Sequence, residues 1–210
     1  MTVTTSRVGE RQIDAPPPLL LPADLRLTPE QFALVCAANR DTVLELSADG
    51  RVITMPPTGS ETGARSGELI FQLKLYAKSQ GLWKAFDSST GFRLPDGSVL
   101  SPDASLVSLE RWQALSTDER RGFAPLCPDL VVELASPSDE GPRGVSELRQ
   151  KMGRYQANGA RLSWLLLPHE RAVEVWPAIG EPQRLEEATS LQAGDAFPEL
   201  TLHLTEIWNG

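Results

Sequence analysis

The chain has little of the residue chemistry that zinc sites and disulfide frameworks need. Its 210 residues include two cysteines, Cys36 and Cys127, and two histidines, His169 and His203. Two cysteines cannot form a disulfide framework, and a buried free thiol is the interpretation we favour for Cys36, which lies on an apolar helix face. The sequence contains no His-Glu-x-x-His or Cys-x-x-Cys motif, which argues against a zinc site of those types. A reducing, cytoplasmic setting fits these features best.

Long apolar runs and glycine-rich phosphate loops are missing as well. No segment approaches the ~20 consecutive apolar residues that a membrane-spanning helix needs. The N-terminal residues lack the basic-then-apolar pattern of a secretory signal, and neither a Walker-type loop nor a dinucleotide fingerprint is present. We therefore expect no membrane partner and no nucleotide cofactor.

The charge distribution limits how the chain can meet nucleic acid. A formal net charge of −8 argues against a protein that coats nucleic acid by bulk electrostatics. Residues 143–161 are an exception, with five basic residues against one acidic residue, a net of +4. These basic residues are Arg143, Arg149, Lys151, Arg154 and Arg161. They indicate either a solvated basic helix or a positive surface around a functional site.

The ordered part of the chain is expected to begin near residue 27. Residues 1–26 are polar and then proline-rich, which predicts a flexible tail. Thr28, Pro29 and Gln31 then form a helix-start pattern, in which threonine caps the helix and glutamine completes a capping box. We therefore expect one domain over residues 27–210.

Periodicity and turn residues predict a mixed order of helices and strands. After the helix that starts at Pro29, further helices are expected over residues 61–79 and 146–158. Strands are expected over residues 43–46, 52–55, 83–87, 90–94, 105–107, 130–135, 163–167, 173–176 and 200–204. This order predicts an α/β (mixed α+β) domain with a mixed sheet flanked by helices and hairpins at both ends.

Three Pro-Asp pairs are candidate acidic positions. Asp96, in Pro95-Asp96-Gly97, is typical of a turn. Asp129 opens the strand that contains Glu133, but four residues along a strand separate these two by about 13 Å, too far to share one ion. Asp103 is left as the partner on another strand, although an aspartate that opens a strand is often structural.

Glu133 lies within the nearly apolar run Asp129-Leu-Val-Val-Glu-Leu-Ala-Ser136, which predicts a central strand. A buried carboxylate must be paired, hydrogen-bonded or bound to a metal. The structural alternatives are an outer strand face that tolerates glutamate and an ion pair with arginine. Lys151, on the following helix, flanks the apolar stripe formed by Leu148, Met152 and Tyr155. It must either extend outwards to solvent or meet an acid, and a strand–loop–helix unit brings it back to Glu133.

These three residues together predict a phosphodiesterase site. Asp103 and Glu133 would hold Mg²⁺ or Mn²⁺ through oxygen ligands. The metal would lower the pKa of a water and offset charge on the phosphate, while Lys151 would position that water or stabilise the charge. Gln150 and Ser136 are weaker candidates for supporting contacts.

The order of these motifs resembles the Uma-type family, which groups proposed nucleases of the PD-(D/E)xK, restriction-endonuclease-like fold. The resemblance covers roughly residues 27–208 and rests on the following segments: Leu44-Glu45, Asp49-Gly50-Arg51-Val52, Met55-Pro56-Pro57, Pro102-Asp103, Val132-Glu133-Leu134-Ala135-Ser136-Pro137-Ser138, Leu148 with Lys151 and Tyr155, and Asn158-Gly159-Ala160 with Trp164-Leu165-Leu166-Leu167-Pro168. It implies a restriction-endonuclease-like core and a metal-dependent site that cleaves DNA. Asp103 and Glu133 would be the ligands and Lys151 the catalytic lysine.

The chain departs from the usual motif at several positions. The lysine usually follows the acid by two residues, where this chain has Ala135, so Lys151 would act from the helix. Near Arg65-Ser66 relatives often carry a histidine. Glu68 resembles an extra helical acid of some nucleases, although a surface glutamate is the favoured interpretation. The loop over residues 139–144 leaves the reach of Lys151 open.

Three hypotheses follow for function. The first is a metal-dependent endonuclease, the second a non-catalytic interaction or regulatory protein of the same fold, and the third a nuclease subunit whose partner supplies the DNA contacts. A homodimer is expected because twofold symmetry suits cleavage of both strands of a duplex. Its contacts would include exposed C-terminal residues, namely Leu202, Leu204, Ile207 and Trp208.

Overall fold

The computed structural model describes residues 21, 22, 24–55, 57–139 and 141–210. The predicted tail, residues 1–26, therefore lies mostly outside the described residues. The helices are α1 (Pro29–Ala38), α2 (Ser60–Gln80), α3 (Leu109–Ala114), α4 (Thr117–Arg121), α5 (Pro142–Ala157) and α6 (Thr205–Asn209). The strands are β1 (Val43–Leu46), β2 (Val52–Met55), β3 (Trp83–Asp87), β4 (Phe92–Arg93), β5 (Val99–Leu100), β6 (Ala104–Ser108), β7 (Leu130–Leu134), β8 (Leu162–Leu167), β9 (Ala172–Pro177), β10 (Gln183–Glu186), β11 (Ser190–Gln192) and β12 (Thr201–His203). Short 3₁₀ helices cover Pro137–Asp139, Pro168–Glu170 and Gly194–Ala196. None of the helices in the described ranges is long and apolar enough to cross a membrane.

The N-terminal elements follow the expected local chemistry. The Thr28 hydroxyl accepts a hydrogen bond from the Gln31 amide, and the Gln31 side chain accepts one from the Thr28 amide, so both halves of the capping box are present. Strands β1 and β2 form the predicted hairpin, with Leu46 paired to Val52. Gly50 in its turn has φ +81°, a conformation that favours glycine, and its carbonyl accepts a hydrogen bond from the Leu27 amide.

A six-stranded mixed sheet forms the centre of the fold. Its strand order is β10-β9-β8-β7-β6-β3, and within it β7 and β8 are parallel whereas the other neighbours are antiparallel. Helix α5 connects the parallel pair, because parallel neighbours need a crossover connection. Every residue of β7 and β8 is buried, which explains their continuous apolar sequences.

The two faces of this sheet carry separate apolar cores. On one face, Val132 and Leu134 belong to a cluster with Leu69 and Leu73 of α2. On the other face, Val131 clusters with side chains of α5. Because side chains alternate along a strand, Glu133 shares the α5 face with Val131.

The C-terminal residues correct one prediction. Leu202, Leu204, Ile207 and Trp208 were expected to be exposed and to contribute to a dimer, but all four are buried in the α2-side core. The Trp208 indole donates a hydrogen bond to the Ala188 carbonyl at 2.8 Å, which satisfies its polar atom inside the fold. The antiparallel pair β11–β12 and helix α6 therefore close the core of this chain.

Several element boundaries differ from the predicted ones. Helix α5 starts at Pro142, four residues early, because proline suits the first turn of a helix and Gly141 supplies the preceding residue with φ +93°. Strand β4 covers only Phe92–Arg93, since a turn begins at Leu94. The sequence did not predict β5, β10, β11 or the short helices α3, α4 and α6. Most of these elements are too short for periodicity to be recognised.

Candidate active site

Glu133 lies on the α5 face of the central strand β7, with only 3% of the residue exposed. One of its carboxylate oxygens, Oε1, accepts a hydrogen bond from the Tyr155 hydroxyl at 2.9 Å. The Lys151 ammonium lies 2.9 Å from Oε1 and 3.1 Å from Oε2. The structural alternative of an arginine pair is absent among the described contacts of Glu133. The buried glutamate is instead held by a lysine and a phenol.

Asp103 lies beside Glu133 on the neighbouring strand edge. Strands β6 and β7 pair Ala104 with Val132, so one further step along this antiparallel register brings Asp103 opposite Glu133. Side chains that are directly opposite in such a pair have Cβ atoms about 4.5–5.5 Å apart. The Asp103 carboxylate accepts a hydrogen bond from the Leu134 amide at 2.7 Å, which fixes it at the end of β7.

Lys151 turns inward from α5 to the sheet. Its side chain is 12% exposed, and its ammonium donates a hydrogen bond to the Ser101 carbonyl at 3.2 Å in addition to its contact with Glu133. The loop over residues 139–144 therefore does not prevent Lys151 from reaching the acid. Of the two alternatives for this lysine, extension to solvent and pairing with an acid, the structure has the second.

Glu45 is a further member of this cluster that the sequence interpretation did not select. It is the third residue of β1 and is 3% exposed. Its Oε1 lies 2.9 Å from the Lys151 ammonium and accepts a hydrogen bond from the Ser101 amide at 2.8 Å. The signal in the sequence was a glutamate between Leu44 and Leu46, the same apolar setting that singled out Glu133.

The buried charges of this cluster are unequal. Three carboxylates, those of Glu45, Asp103 and Glu133, surround one ammonium. Burial, together with the neighbouring carboxylates of Asp103 and Glu45, raises the pKa of Glu133 to about 8 against the opposing effect of Lys151. Burial also raises the pKa of Asp103, although the Lys151 ammonium and the Leu134 amide oppose that rise.

Burial acts on the pKa of the Lys151 ammonium in the opposite direction to its effect on the carboxylates. Burial by itself lowers the pKa of Lys151, but Glu133, Glu45 and Asp103 together raise it above its ordinary value. Lys151 therefore stays protonated at physiological pH. Burial raises the pKa of the Tyr155 hydroxyl well above its usual value, so this group remains a hydrogen-bond donor.

A cleft of about 890 Å³ opens onto these residues. The β1–β2 hairpin lines one side and α5 lines the other, with Asp103 and Glu133 between them. Its lining includes six acidic residues: Glu45, Asp49, Asp103, Glu133, Asp139 and Glu147. It includes three basic residues: Arg51, Lys151 and Arg154. The cleft is therefore acidic overall.

The weaker candidates lie in different places. Ser136 and Gln150 both line the cleft. The Ser136 hydroxyl donates a hydrogen bond to Asp139 at 2.6 Å, so it orders the turn after β7. Glu68 lies outside the cleft lining, and its carboxylate accepts a hydrogen bond from Gln72 at 2.8 Å, which agrees with the surface interpretation.

The predicted positive surface around the site is largely absent. Arg149 pairs with the buried carboxylate of Glu174, and Arg161 lies over the rings of Trp83 and Phe197, on the α2 side of the sheet. These two arginines therefore do not belong to the cleft. Residues close in sequence point in different directions around a helix, so Arg149 of α5 faces away from the cleft. Arg161 lies beyond the end of α5.

The other two Pro-Asp positions are structural. Asp96 accepts hydrogen bonds from the amide and hydroxyl of Ser98 in its turn. Asp129 accepts a hydrogen bond from the Ser108 amide at 2.8 Å and pairs with Arg111 at 2.9 Å. Both outcomes agree with the sequence interpretation, which left Asp103 as the acid beside Glu133.

The donor atoms are compatible with a hard divalent cation. Mg²⁺ is commonly held by one or two carboxylates and completed by waters, and Asp103 and Glu133 supply two carboxylates at the same cleft. Among the described residues, no three His, Cys, Asp or Glu side chains are arranged to hold an ion by themselves. With all three carboxylates ionised, the cluster carries two excess negative charges, which equals the charge of one divalent cation. The residues therefore fit a site in which water completes the coordination.

Comparison with known proteins gives one family and one fold. The chain matches the Uma2 family, described as "Putative restriction endonuclease", over residues 29–205. It is similar to the crystal structure of "a putative nuclease belonging to DUF820" from Anabaena variabilis ATCC 29413, with a TM-score of 0.68 and 19% sequence identity. That match covers 87% of this chain and 98% of the other chain. No curated protein matches the chain.

These matches confirm two predictions made from the sequence. At 19% identity the structural likeness establishes the fold, which is the expected mixed α+β, restriction-endonuclease-like arrangement. The family match covers most of the chain and confirms the resemblance to Uma-type proteins. This chain therefore belongs to the Uma2 family.

Proposed function

We propose that this protein is an endonuclease that hydrolyses phosphodiester bonds in DNA with the help of Mg²⁺ or Mn²⁺. The family description supports a nuclease at the coarse level. The observation that carries the finer proposal is the cluster at the floor of the cleft, where the Lys151 ammonium lies 2.9 Å from both Glu45 and Glu133. Asp103 completes this cluster from the adjacent strand.

Asp103 and Glu133 are the proposed metal ligands. When bound there, a divalent cation would lower the pKa of a water and offset negative charge on the phosphate. The Leu134 amide keeps Asp103 in place, and the Tyr155 hydroxyl orients Glu133. Such supporting hydrogen bonds fix the direction in which a ligand presents its oxygen atoms.

Lys151 is the proposed catalytic cation. Its ammonium has three hydrogen atoms to donate and stays charged, so it can hold a phosphate oxygen or orient an attacking water. Glu45 and the Ser101 carbonyl hold the ammonium at the floor of the cleft. Glu45 is therefore proposed as the residue that positions Lys151.

One observation favours the non-catalytic alternative. Lys151 has four acceptor atoms from three residues within 3.2 Å, and Glu133 has donors on both oxygens, so the cluster is well bonded without any ligand. A protein that used this cluster only for interaction or regulation would bind no cation there. The charge imbalance of the cluster supports the catalytic proposal instead.

Titration calorimetry with Mn²⁺ separates these two functions. We expect the wild type to bind Mn²⁺ and the variants Asp103→Asn and Glu133→Gln to lose that binding, because each keeps its shape but loses a charged ligand. Glu147→Gln is the matched control, since Glu147 lines the same cleft but its side chain is 67% exposed and pairs with Arg143. It should retain the affinity of the wild type.

Cleavage of DNA completes the test. The wild type should cut DNA with Mn²⁺ present, and Lys151→Ala should bind Mn²⁺ without cutting. Absence of Mn²⁺ binding by the folded wild type, with or without DNA, would refute the metal-dependent proposal. Cutting by Lys151→Ala at the rate of the wild type would refute the role of the lysine.

Two further expectations stay predictions. A homodimer would have to use surfaces other than the buried C-terminal residues, and sedimentation at several concentrations measures whether it forms.

A cytoplasmic location is expected from the sequence, and fractionation of cells that produce the chain would test it.

A further inference from the structure

Among the residues that the structure describes, the acidic cluster opens onto the cleft. Glu45 and Glu133 are each 3% exposed, and the Lys151 side chain is 12% exposed. A phosphate that meets these groups must therefore enter between the β1–β2 hairpin and α5.

The charge of the cleft disfavours a substrate with high charge density. Its lining has six acidic and three basic residues, so it remains net negative even with one divalent cation bound. Duplex DNA carries one negative charge per about 1.7 Å of its axis, whereas each strand alone carries one per about 3.4 Å. A single strand therefore meets about half of the repulsion that a duplex meets along the same length.

The hairpin wall of the cleft presents apolar side chains to solvent. Ile53 is 37% exposed and Met55 is 41% exposed, and both line the cleft from β2. Within the described part of the chain, strand β2 is at the edge of its sheet and pairs with β1. Unstacked bases offer flat apolar surfaces, and the thioether of methionine packs favourably against aromatic rings. In a duplex those base surfaces are covered by stacking.

Two arginines that line the cleft are available to contact the phosphates of a bound strand. Arg51 lies in the β1–β2 turn and Arg154 lies on α5, so the two come from different elements that line the cleft. Arg51 is paired with Asp49 at 2.9 Å but is 62% exposed, so it can contact phosphate at the surface. Two cations suit a short single strand better than the six to ten phosphate contacts that hold a typical duplex-binding protein.

We infer that the substrate of this site is single-stranded DNA, which enters the cleft with its bases against Ile53 and Met55 and its flanking phosphates near Arg51 and Arg154. This inference rests on the proposed function and names the form of its substrate. It also explains how a chain with a net charge of −8 can act on a polyanion, because few phosphates approach it at one time.

Binding to matched oligonucleotides tests the inference. The Lys151→Ala variant with Mn²⁺ would be titrated into three fluorescent 20-nucleotide probes: a single strand, the duplex of the same sequence, and a single strand whose central nucleotides lack bases. We expect the single strand to bind roughly tenfold more tightly than either of the others. With wild-type protein, the single strand should also be cut faster than the duplex.

Two pairs of variants assign the contacts. Arg51→Ala and Arg154→Ala should each reduce the slope of log affinity against log salt by about 0.7, which is the change expected for one lost phosphate contact on a single strand. Arg143→Ala is the matched control on α5, because that side chain is 95% exposed and lies outside the cleft. Met55→Ala should weaken binding by about 2- to 10-fold without changing the slope. Leu82→Ala, another exposed apolar residue outside the cleft, is its control.

The outcomes separate this inference from the proposed function. If the duplex binds and is cut at least as well as the single strand, the inference is overturned while the nuclease proposal stands. If the single strand binds tightly but the wild type cuts neither probe, the preference of the cleft for a single strand stands, while the nuclease proposal fails and the strand is a ligand, not a substrate. Absence of binding to all three probes overturns both.

Discussion

Replacement of Lys151 by methionine is the sharpest test of the buried cluster. Methionine has a similar length and fits an apolar helix face, so the substitution removes the charge with little change in volume. In the wild type this charge faces two nearly fully buried carboxylates, Glu45 and Glu133, each 2.9 Å away. The variant leaves both without their cation.

The expected magnitude depends on pH. Removal of one partner from a buried ion pair typically costs about 3–5 kcal/mol, and that cost applies where the carboxylates are charged. Because burial raises the pKa of Glu133 from 4.5 to about 8, this group stabilises the fold fully below pH 4.5 and loses that contribution as the pH rises through 8. Without Lys151 the pKa of Glu133 rises further, so the loss with increasing pH becomes larger.

We therefore expect the free energy of unfolding of Lys151→Met to fall by about 3 kcal/mol at pH 8. At pH 4.5 the variant should match or exceed the wild type, since a protonated Glu133 no longer compensates the buried ammonium of the wild type. Urea unfolding followed by tryptophan fluorescence, in chelator, measures both values. Arg143→Met, at a 95% exposed position of the same helix, should change stability by less than about 0.5 kcal/mol. The inference that the cluster is charged would be refuted if Lys151→Met lost the same free energy of unfolding at both pH values, or lost none at pH 8.

Three other substitutions test its neighbours and the core. Tyr155→Phe removes the donor to Glu133 and should lower stability by about 1 kcal/mol and weaken Mn²⁺ binding at least about 10-fold in calorimetry. An unchanged Mn²⁺ affinity would contradict its orienting role. Glu45→Gln relieves repulsion among the carboxylates, so the free energy of unfolding at pH 8 should stay equal or rise while the cleavage rate falls. A loss of stability as large as that of Lys151→Met would contradict the charge imbalance. Trp208→Ala should cost about 3–5 kcal/mol in urea unfolding because the indole is buried, and a variant that loses only self-association would contradict that burial.

The sequence predicted the part of the site that lies close together along the chain. Glu133 and Lys151 are 18 residues apart in one strand–helix unit, and a helix that packs back onto its own strand must bring its inner face to that strand. The position of Asp103 beside Glu133 follows from the antiparallel pairing of β6 with β7. In such a pair, a residue just before the start of one strand lies opposite a residue near the end of the other. Such local geometry limits the possible arrangements strongly.

Glu45 was missed because its placement is non-local. It contacts Lys151 directly and is held in place by the Ser101 amide, 56 residues along the chain. Its strand β1 pairs with β5, which has only two residues and no periodic pattern. Periodicity reports which side chains share a face but does not report how two sheets meet. The same limit applies to Trp208, because an apolar C-terminal segment can cover the core of its own chain or a partner equally well.

The unequal charges of the cluster argue for function over stability. A buried ion pair adds little to stability compared with well-packed apolar residues, and an unpaired buried carboxylate costs stability. This fold buries or half-buries three carboxylates around one ammonium, at the floor of an open cleft. At neutral pH the excess negative charge can be removed by uptake of protons, as the raised pKa of Glu133 indicates, or by a divalent cation. A cation would restore neutrality without removing the charges on which Lys151 depends, so its binding should raise the thermal stability of the wild type and leave that of Glu133→Gln nearly unchanged.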